Sequence, residues 1–155
     1  NLVTFGLLAG RSAATCNGEA EPFEPESAER LLKGLSGGTT SPESIRKEIA
    51  SVVESSLGPV RDGATCLAAA ESLDALREDV RAVRGTPGME LLHALELRGL
   101  LSTATAVARA AAFREESRGT HFRRDFPEER EIWGRPVLVS LKDGKIVAAA
   151  GSDKS

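Results

Sequence analysis

The side chains of this sequence that are most suited to chemistry lie close together, between residues 114 and 128. The run is Arg-Glu-Glu-Ser-Arg-Gly-Thr-His-Phe-Arg-Arg-Asp-Phe-Pro-Glu, with four arginines and one histidine. Guanidinium groups bind carboxylates and phosphates through paired hydrogen bonds, so an anion site is one interpretation. A nucleic-acid patch is disfavoured, because acids are interleaved with the arginines and the sequence has no tyrosine to stack on bases. We favour a third interpretation, in which these charges pair with helix ends and with a neighbouring domain.

The rest of the sequence contains no familiar catalytic or metal-binding motif. It lacks the GxGxxG, P-loop, HExxH and nucleophile-elbow patterns, so we predict no catalytic residue in this chain. Cys16 and Cys66 occur without a CxxC pair or a Cys/His cluster, so no metal site is predicted. We expect two reduced thiols, with Cys66 in the core; one disulfide between them is the alternative. His93 is expected on a helix surface or at an interface.

Composition bounds the class of protein. The 155 residues are enough for one domain, or for one domain with a loose appendage, and 41% of them are hydrophobic. Alanine and leucine dominate while aromatic residues make up only 4%, which favours helices. A formal charge of −3 gives no reason to expect a nucleic-acid partner. No apolar run approaches the ~20 residues that span a bilayer.

The first forty residues are predicted to hold a helical stub and a linker. Phe5 and Leu8 belong to an apolar pattern at helical spacing within residues 1–15. Residues 16–40 are rich in polar residues, glycine and proline, which predicts a linker with a short helix over residues 27–35. The chain opens inside an apolar stretch without an initiator Met, so we expect a fragment whose first helix starts upstream.

Residues 41–128 are predicted to form a mainly α domain, a three-helix antiparallel bundle of the spectrin-like, up-down-up type. The first helix starts at Ser41 and Pro42, because serine caps a helix and proline suits its first turn. The third helix is the longest and runs from about Met89 to Ser117. Apolar positions expected in the core are Ile45, Ile49, Val52 and Val53 of the first helix, Cys66, Ala69, Leu73, Leu76, Val80 and Val83 of the second, and Leu92, Leu95, Leu100, Val107, Ala110, Ala111 and Phe113 of the third.

The last residues, 129–155, are predicted to form a C-terminal extension with a small β-hairpin. Two apolar runs flank Lys142 to Lys145, and the Asp-Gly pair at the centre favours a tight turn because glycine accepts positive φ. A lone two-stranded hairpin is marginal in water, so we expect it to pack on the bundle, on another domain or on a partner.

Two short motifs in the charged run resemble a family signature. Glu116-Ser-Arg-Gly-Thr-His121, followed by Asp125-Phe-Pro-Glu128, is similar to the C-terminal ESRGxH and DFPE motifs of the succinate dehydrogenase, fumarate reductase and L-aspartate oxidase flavoproteins. Phe5-Gly6 and the residues after it resemble the helix that closes the FAD-binding domain of this family. Gly58-Pro-Val-Arg61 resembles the turn between its first two bundle helices. The resemblance covers most of the chain and is weakest over residues 16–40.

The short tail after the signature resembles L-aspartate oxidase more than the respiratory enzymes. This resemblance implies that the chain is the C-terminal helical domain of an FAD-dependent enzyme of NAD biosynthesis, which oxidises L-aspartate to iminoaspartate. The alternative within the family is the same domain of a succinate dehydrogenase or fumarate reductase flavoprotein subunit. A free-standing helical interaction module is the alternative of another class. The chain by itself is not expected to be an enzyme.

The resemblance also implies roles for residues and partners. Residues 1–15 would end the FAD-binding domain, with Asn1 and Leu2 as remnants of a flavin-contacting segment. FAD and a dicarboxylate would bind the parent enzyme, with no cofactor in this fragment, and the FAD-binding domain of the same chain would be its partner. We expect a cytoplasmic protein without a nucleic-acid partner and, if it is an L-aspartate oxidase, without a membrane partner. Signature residues expected at helix ends and at the interface with the flavin domain, rather than in catalysis, are Glu116, Ser117, Arg118, Gly119, His121 and Asp125.

Overall fold

The computed structural model describes residues 2–16 and 38–152, and residues 26, 29, 32 and 33 between them. The helix predicted over residues 27–35 lies largely outside this part of the chain. The mainly helical fold with a small antiparallel strand pair is confirmed, whereas the spectrin-like, up-down-up arrangement stays a prediction. The helices of the described ranges are α1 (Leu2–Ala14), α2 (Pro42–Ser56), α3 (Gly63–Ala75), α4 (Arg77–Arg81) and α5 (Met89–Phe113), with a 3₁₀ turn at Glu131–Trp133. The strands are β1 (Val60–Arg61), β2 (Phe122–Arg123), β3 (Val137–Lys142) and β4 (Lys145–Ala150).

Helix α2 begins where its sequence predicts. Ser41 is the residue before the helix and Pro42 occupies its first turn, where a missing N–H costs nothing. Ile45 and Ile49 are buried, and Val52 and Val53 pack against the same core, so the predicted apolar face is confirmed. Burial of a side chain such as Ile49 contributes about 1.5–3 kcal/mol.

The second predicted helix is divided into two. Asp62 caps α3, because its carboxylate accepts hydrogen bonds from the Thr65 N–H (2.8 Å) and the Thr65 hydroxyl (2.7 Å). The helix ends at Ala75, and after Leu76 the chain forms the separate short helix α4. Val80 and Val83 nevertheless stay buried with the α3 face, so the apolar pattern was predicted correctly although the continuous helix was not.

Helix α5 differs from its prediction in its end and in its buried face. It ends at Phe113 rather than at Ser117, because Arg114 takes an extended conformation with ψ 105°. Its core face is built largely of small residues, which let helices approach closely: Ala94, Leu97, Leu101, Ala104, Thr105, Ala108 and Ala111. Of the positions predicted for this face, Ala111 is buried. The larger side chains predicted there form a second, exposed face: Leu92, Leu95, Leu100, Val107 and Phe113.

The C-terminal hairpin is confirmed. Strands β3 and β4 are antiparallel and pair Lys142 with Lys145 across the turn. Asp143 and Gly144 both have positive φ, 50° and 74°, as a two-residue turn of this kind requires. Ile146 is buried, and the hairpin packs against α5.

Two short parallel pairings were not predicted from the sequence. Strand β1 pairs with β2, which places Arg61 beside Arg123, far apart in the chain. Thr40 forms an isolated bridge with Val83. These pairings are long-range, and two residues of strand carry no periodicity that a sequence pattern could reveal.

Helix α1 presents apolar side chains to the surface. Val3, Phe5 and Leu8 are 86%, 68% and 54% exposed. Of the two residues proposed to contact flavin, Asn1 lies outside the described residues, and Leu2 is described through its helical backbone alone. Among the helices that the structure describes, none combines the length and the hydropathy that a membrane crossing requires.

Candidate functional site

The charged run forms a loop that leaves the end of α5 and folds back across it. We call residues 114–130 the signature loop. The chain reverses at a two-residue turn, in which the Arg118 N–H donates to the His121 carbonyl (2.8 Å) and the His121 N–H donates to the Arg118 carbonyl (3.0 Å). Gly119 takes φ +58° in this turn, a conformation that side chains with a Cβ adopt at a cost. Gly119 was expected to end the long helix, and it instead makes the tip of the loop.

Arg123 is a buried residue of the signature loop, with 2% of its surface exposed. Its Nη1 donates to the carbonyl oxygens of Ala111 (2.8 Å), Ala112 (3.0 Å) and Arg114 (2.9 Å). Carbonyls at the end of a helix lack partners within it, and a cation there also faces the negative end of the helix dipole. Arg123 therefore caps α5 from the interior of the domain.

Asp125 connects this arginine to α3. Its carboxylate accepts hydrogen bonds from Arg123 Nε (2.8 Å) and Nη2 (2.7 Å), and from the Gly63 N–H (3.1 Å). Gly63 is the first residue of α3, where free N–H groups favour a carboxylate. The hydrogen bonds from Arg123 are the main reason that the pKa of Asp125 lies well below its usual value. One ion pair thus joins the end of α5 to the start of α3.

Gly63 is matched to this pair. A Cβ at residue 63 would overlap the guanidinium of Arg123 and would approach Asp125 Oδ2 to 3.1 Å. A side chain at this position would therefore have to displace the guanidinium of Arg123, so the close passage of the α3 backbone over the ion pair favours glycine.

Glu116, near the start of the loop, is fully buried. Its carboxylate accepts hydrogen bonds from Arg118 Nε (2.9 Å) and Nη2 (3.1 Å) and from the Arg130 N–H (2.9 Å), and it also pairs with Arg114. The hydrogen bonds from Arg118 are the largest cause that lowers the pKa of Glu116 from 4.5 to about 2, against the opposing effect of burial. The group is therefore an ionised anchor of the loop, with its oxygens directed at protein donors.

Ser117 holds the two sides of the loop together. Its hydroxyl accepts a hydrogen bond from the Arg123 N–H (2.8 Å) and donates to the Phe126 carbonyl (2.8 Å). Its own N–H donates to the Glu128 carbonyl (3.1 Å). Ser117 thus forms hydrogen bonds with three backbone groups that have no partner in a regular helix or sheet here.

Arg114 connects the loop to the C-terminal extension. Its guanidinium donates to the carbonyls of Trp133 (3.1 Å) and Arg135 (2.8 Å) and lies 5.7 Å from the centre of the Trp133 ring. Trp133 in turn meets Phe113 edge to face at 5.4 Å. This pair adds about 0.5–1.5 kcal/mol beyond the area that it buries.

His121 connects the loop to the segment between α2 and α3. Its Nδ1 lies 2.9 Å from Arg61 Nη1, and its Nε2 lies 3.4 Å from the carbonyl oxygen of Arg114. Burial, followed by the charges of Arg61, Arg123 and Arg114, lowers the pKa of His121 below its usual 6.5. The ring is neutral at pH 7 and acts here as a bridge.

The charged side chains of the signature loop are largely paired within the domain. The signature carboxylates and the guanidiniums of Arg114, Arg118 and Arg123 bind one another, which favours the structural interpretation of the run over an anion site. Cys66 is buried, and burial raises the pKa of its thiol, so it is not a reactive thiolate. Within the described ranges, no three His, Cys, Asp or Glu side chains group as a metal site would need.

The N-terminus of α3 also does not fit the pyrophosphate of FAD. Dinucleotides bind through free N–H groups at the start of a helix. Here the Thr65 N–H is bound by Asp62, and the Gly63 N–H is bound by Asp125. That this chain holds no cofactor remains an expectation.

The structure brings all six signature residues named from the sequence into one loop. Sequence reasoning missed Arg123, which has the most polar contacts with the end of α5, and it missed the contact of Arg61 with His121. Arg123 stands two residues before Asp125 among other arginines, and no periodicity distinguishes it from exposed Arg124.

The signature loop lies within the stretch of the chain that matches a known protein family. The family model "Fumarate reductase flavoprotein C-term" matches residues 46–145, which include most of α2, all of α3 to α5 and the whole signature loop. The chain belongs to this family. The resemblance drawn from the signature is therefore confirmed for the flavoprotein family as a whole, and L-aspartate oxidase in particular gains no support.

Two curated relatives and one solved structure define the similarity further. The chain is 34% identical to one of the subunits of the fumarate reductase (CoM/CoB) of Methanothermobacter marburgensis, over 89% of this chain and 27% of that protein. It is 35% identical to a fumarate reductase flavoprotein subunit of Mycobacterium tuberculosis, over 94% of this chain and 28% of that protein. It matches a structure of quinol-fumarate reductase with menaquinol molecules at a TM-score of 0.75 and 28% identity, over 97% of this chain and 28% of that chain.

The chain thus spans about a quarter of the length of these relatives. Further relatives include succinate dehydrogenase flavoprotein subunits. The expectation of a protein without a membrane partner gains no support from a neighbour described with menaquinol. A cytoplasmic location stays a prediction.

Proposed function

We propose that this chain is the C-terminal helical domain of the flavoprotein subunit of a fumarate reductase or succinate dehydrogenase. The names of its relatives favour this proposal over L-aspartate oxidase. In the parent enzyme, FAD would exchange electrons with a dicarboxylate, and the residues that bind both would lie in other domains. The domain would brace the flavin domain.

One observation carries the bracing role: the two buried charged side chains of the signature loop are bound inside the domain. Glu116 is fully buried and Arg123 is 2% exposed, and both are bound by protein groups. Such a loop stabilises the positions of α5 and α3 and leaves the signature carboxylate away from any substrate. The apolar surface of α1, with Val3 and Phe5 exposed, supplies a face for the flavin domain.

The activity is tested with the full-length protein that contains this chain. Its flavin is measured by absorbance, and three substrates are compared: fumarate with a reduced viologen dye, succinate with an oxidising dye, and L-aspartate with peroxide detection. We expect turnover with fumarate or succinate. Turnover with L-aspartate alone would replace this proposal by the aspartate oxidase, and a full-length protein without flavin would leave the free-standing interaction module.

The bracing role is tested separately with Arg118→Ala, and exposed Arg124→Ala is the matched control. Arg118 donates two hydrogen bonds to buried Glu116, so we expect its loss to lower the melting temperature or the flavin content. Turnover per bound flavin should stay near that of the unmodified protein. A variant that keeps flavin and melting temperature but loses turnover would place Arg118 in catalysis and would contradict the bracing role.

A further inference from the structure

The ring of His121 is held at both nitrogens, by groups from two different parts of the fold. Arg61 Nη1, from β1, lies 2.9 Å from Nδ1. The carbonyl oxygen of Arg114, just beyond α5, lies 3.4 Å from Nε2. An arginine can only donate and a carbonyl oxygen can only accept, so Nδ1 carries the lone pair and Nε2 carries the proton. The contacts select one neutral tautomer.

A second proton on this ring would have no favourable place. It would have to bind Nδ1, which already accepts from Arg61, so two donors would face each other across the 2.9 Å contact. The charges that act on the ring are the guanidiniums of Arg61 on β1, Arg123 on β2 and Arg114 after α5. Within the described part of the chain, no carboxylate is among the groups whose charge acts on this ring, and those of the loop and of the start of α3 are bound elsewhere: Glu116 to Arg114 and Arg118, Asp125 to Arg123 and Gly63, and Asp62 to Thr65.

The contact with Arg61 lies where two segments meet. Arg61 Nε donates to the Gly58 carbonyl (2.7 Å), so the same guanidinium holds the α2–α3 connection in shape. The Arg61 carbonyl accepts from the Arg124 N–H (2.8 Å) beside the β1–β2 pairing. Each of these strands is only two residues long, so the side-chain contact adds to a small set of backbone contacts that connects them.

We propose that His121 is a proton-sensitive latch between the signature loop and the α2–α3 connection, closed when its ring is neutral and opened when Nδ1 is protonated. The neutral acceptor holds Arg61 against the loop. Protonation converts this contact into a repulsion between like charges and frees residues 58–62 and 121–124 to separate locally. The inference rests on the geometry of this domain and is independent of the activity of the parent enzyme.

The direction of the pH dependence follows from the burial of the ring. Burial and the three guanidiniums lower the pKa of His121 in the folded protein below 6.5. The open and unfolded forms therefore bind the proton first, and the latch loses stability as the pH falls below the usual histidine value. At higher pH the neutral ring dominates in both forms, and the latch is fully closed.

Hydrogen exchange measured by mass spectrometry on the full-length protein tests the latch at about pH 7.5 and about pH 5.5, after correction for intrinsic exchange rates. The variant His121→Asn keeps an oxygen near the position of Nδ1 and does not titrate. In the unmodified protein, we expect a several-fold loss of protection at the lower pH in peptides covering residues 58–62 and 121–124. In His121→Asn this additional loss should be absent. His93→Asn, at the other histidine of the chain, should behave like the unmodified protein.

The result that overturns the proposal is equal protection at both pH values in the unmodified protein, or an equal loss in His121→Asn. A second variant, Arg61→Gln, covers the case in which His121→Asn does not fold. The glutamine amide can donate to the neutral ring and accept from the protonated ring, and it carries no charge. The loss at low pH should therefore be smaller than in the unmodified protein, and an unchanged loss would also contradict the latch.

Discussion

The signature loop and helix α1 are opposite exceptions to the usual distribution of polar and apolar residues. In the loop, charged side chains lie inside: Glu116 is fully buried and Arg123 is 2% exposed. In α1, apolar side chains lie outside, and Val3 and Phe5 are 86% and 68% exposed. Buried charges are stable only when they are paired, and exposed apolar faces are usual where a partner belongs.

The two regions differ in whether the groups that would stabilise them lie within the domain. Both buried charges of the loop find their partners inside the domain, at the ends of α3 and α5 or in the loop itself. The apolar side chains of α1 find no comparable cover among the described residues. The buried charges of the loop are therefore compensated within the domain, whereas the proposed function would have the flavin domain cover the apolar face of α1. Variants in the two regions should fail differently, which makes the comparison testable.

The largest effect is expected from Arg123→Met in the full-length protein. The change leaves Asp125 and the carbonyls at the end of α5 without their partner. Each buried acceptor that loses its donor costs about 1–3 kcal/mol, and Arg123 serves three carbonyls besides Asp125, so thermal unfolding should occur at a much lower temperature. Arg124→Met is the control, because Arg124 is exposed, and its effect should stay within about 0.5 kcal/mol. Equal melting temperatures for the two variants would show that the ion pair of Arg123 with Asp125 is not what joins α5 to α3.

The next effect is expected from Phe5→Ala in the full-length protein. Although Phe5 is 68% exposed in this domain, packing of α1 on the flavin domain would bury it. Truncation of a buried phenylalanine costs about 3–5 kcal/mol, and partial burial places the expected loss near the lower value. The expected loss of stability is measured by the melting temperature and by the flavin content. Phe5→Leu keeps an apolar side chain and should recover most of the loss, and an unchanged Phe5→Ala protein would mean that α1 has no partner.

A smaller and pH-dependent effect is expected from Glu116→Gln. The amide keeps the shape of the carboxylate but loses charged hydrogen bonds from Arg118, which contribute about 1.5–3 kcal/mol in total. The pKa of Glu116 is lowered from 4.5 to about 2 in the folded protein, so its contribution is present above pH 4.5 and is lost as the pH falls from 4.5 towards 2. The unfolding free energy of the variant should therefore fall less steeply in this range.

The neighbouring Glu115→Gln serves as the control for that measurement. Glu115 pairs with Arg130 at the surface, and surface pairs contribute about 0–1 kcal/mol. If Glu116→Gln and Glu115→Gln gave the same dependence of unfolding free energy on pH, the burial of Glu116 would not explain the effect of its substitution.

Local sequence patterns predicted most of the helices. Which face of a helix is buried depends on packing, and local patterns did not predict it for α5. Ser41 and Pro42 predicted the start of α2, and the Asp-Gly pair at Asp143 predicted the hairpin turn. The face of α5 was predicted wrongly because its large side chains, such as Leu92, point away from the core. Alanines line the core face instead, and a pattern search gives alanine less weight than leucine although it permits closer packing.

The candidate site was predicted in position but not in mechanism. The resemblance drew attention to the loop from Glu116 to Asp125, and the charges were expected to serve helix ends. Which end each charge serves depends on contacts with Gly63 and Arg61, which are some sixty residues away in the chain. No local rule connects such pairs, so Arg123 could not be distinguished from its neighbour.

The smallest effect is expected at the tip of the signature loop, from Gly119→Ala. Gly119 has φ +58°, a left-handed conformation that costs other residues about 1 kcal/mol, and its missing Cβ faces open space. The melting temperature should fall slightly, and Gly119→Asn should fall less because asparagine tolerates this conformation. Gly58→Ala is the control, since its Cβ would also meet no atom and its φ is not positive. A Gly119→Ala loss as large as that of Arg123→Met would show that the tip contacts the rest of the protein, and the signature loop would then resemble α1 in depending on a partner.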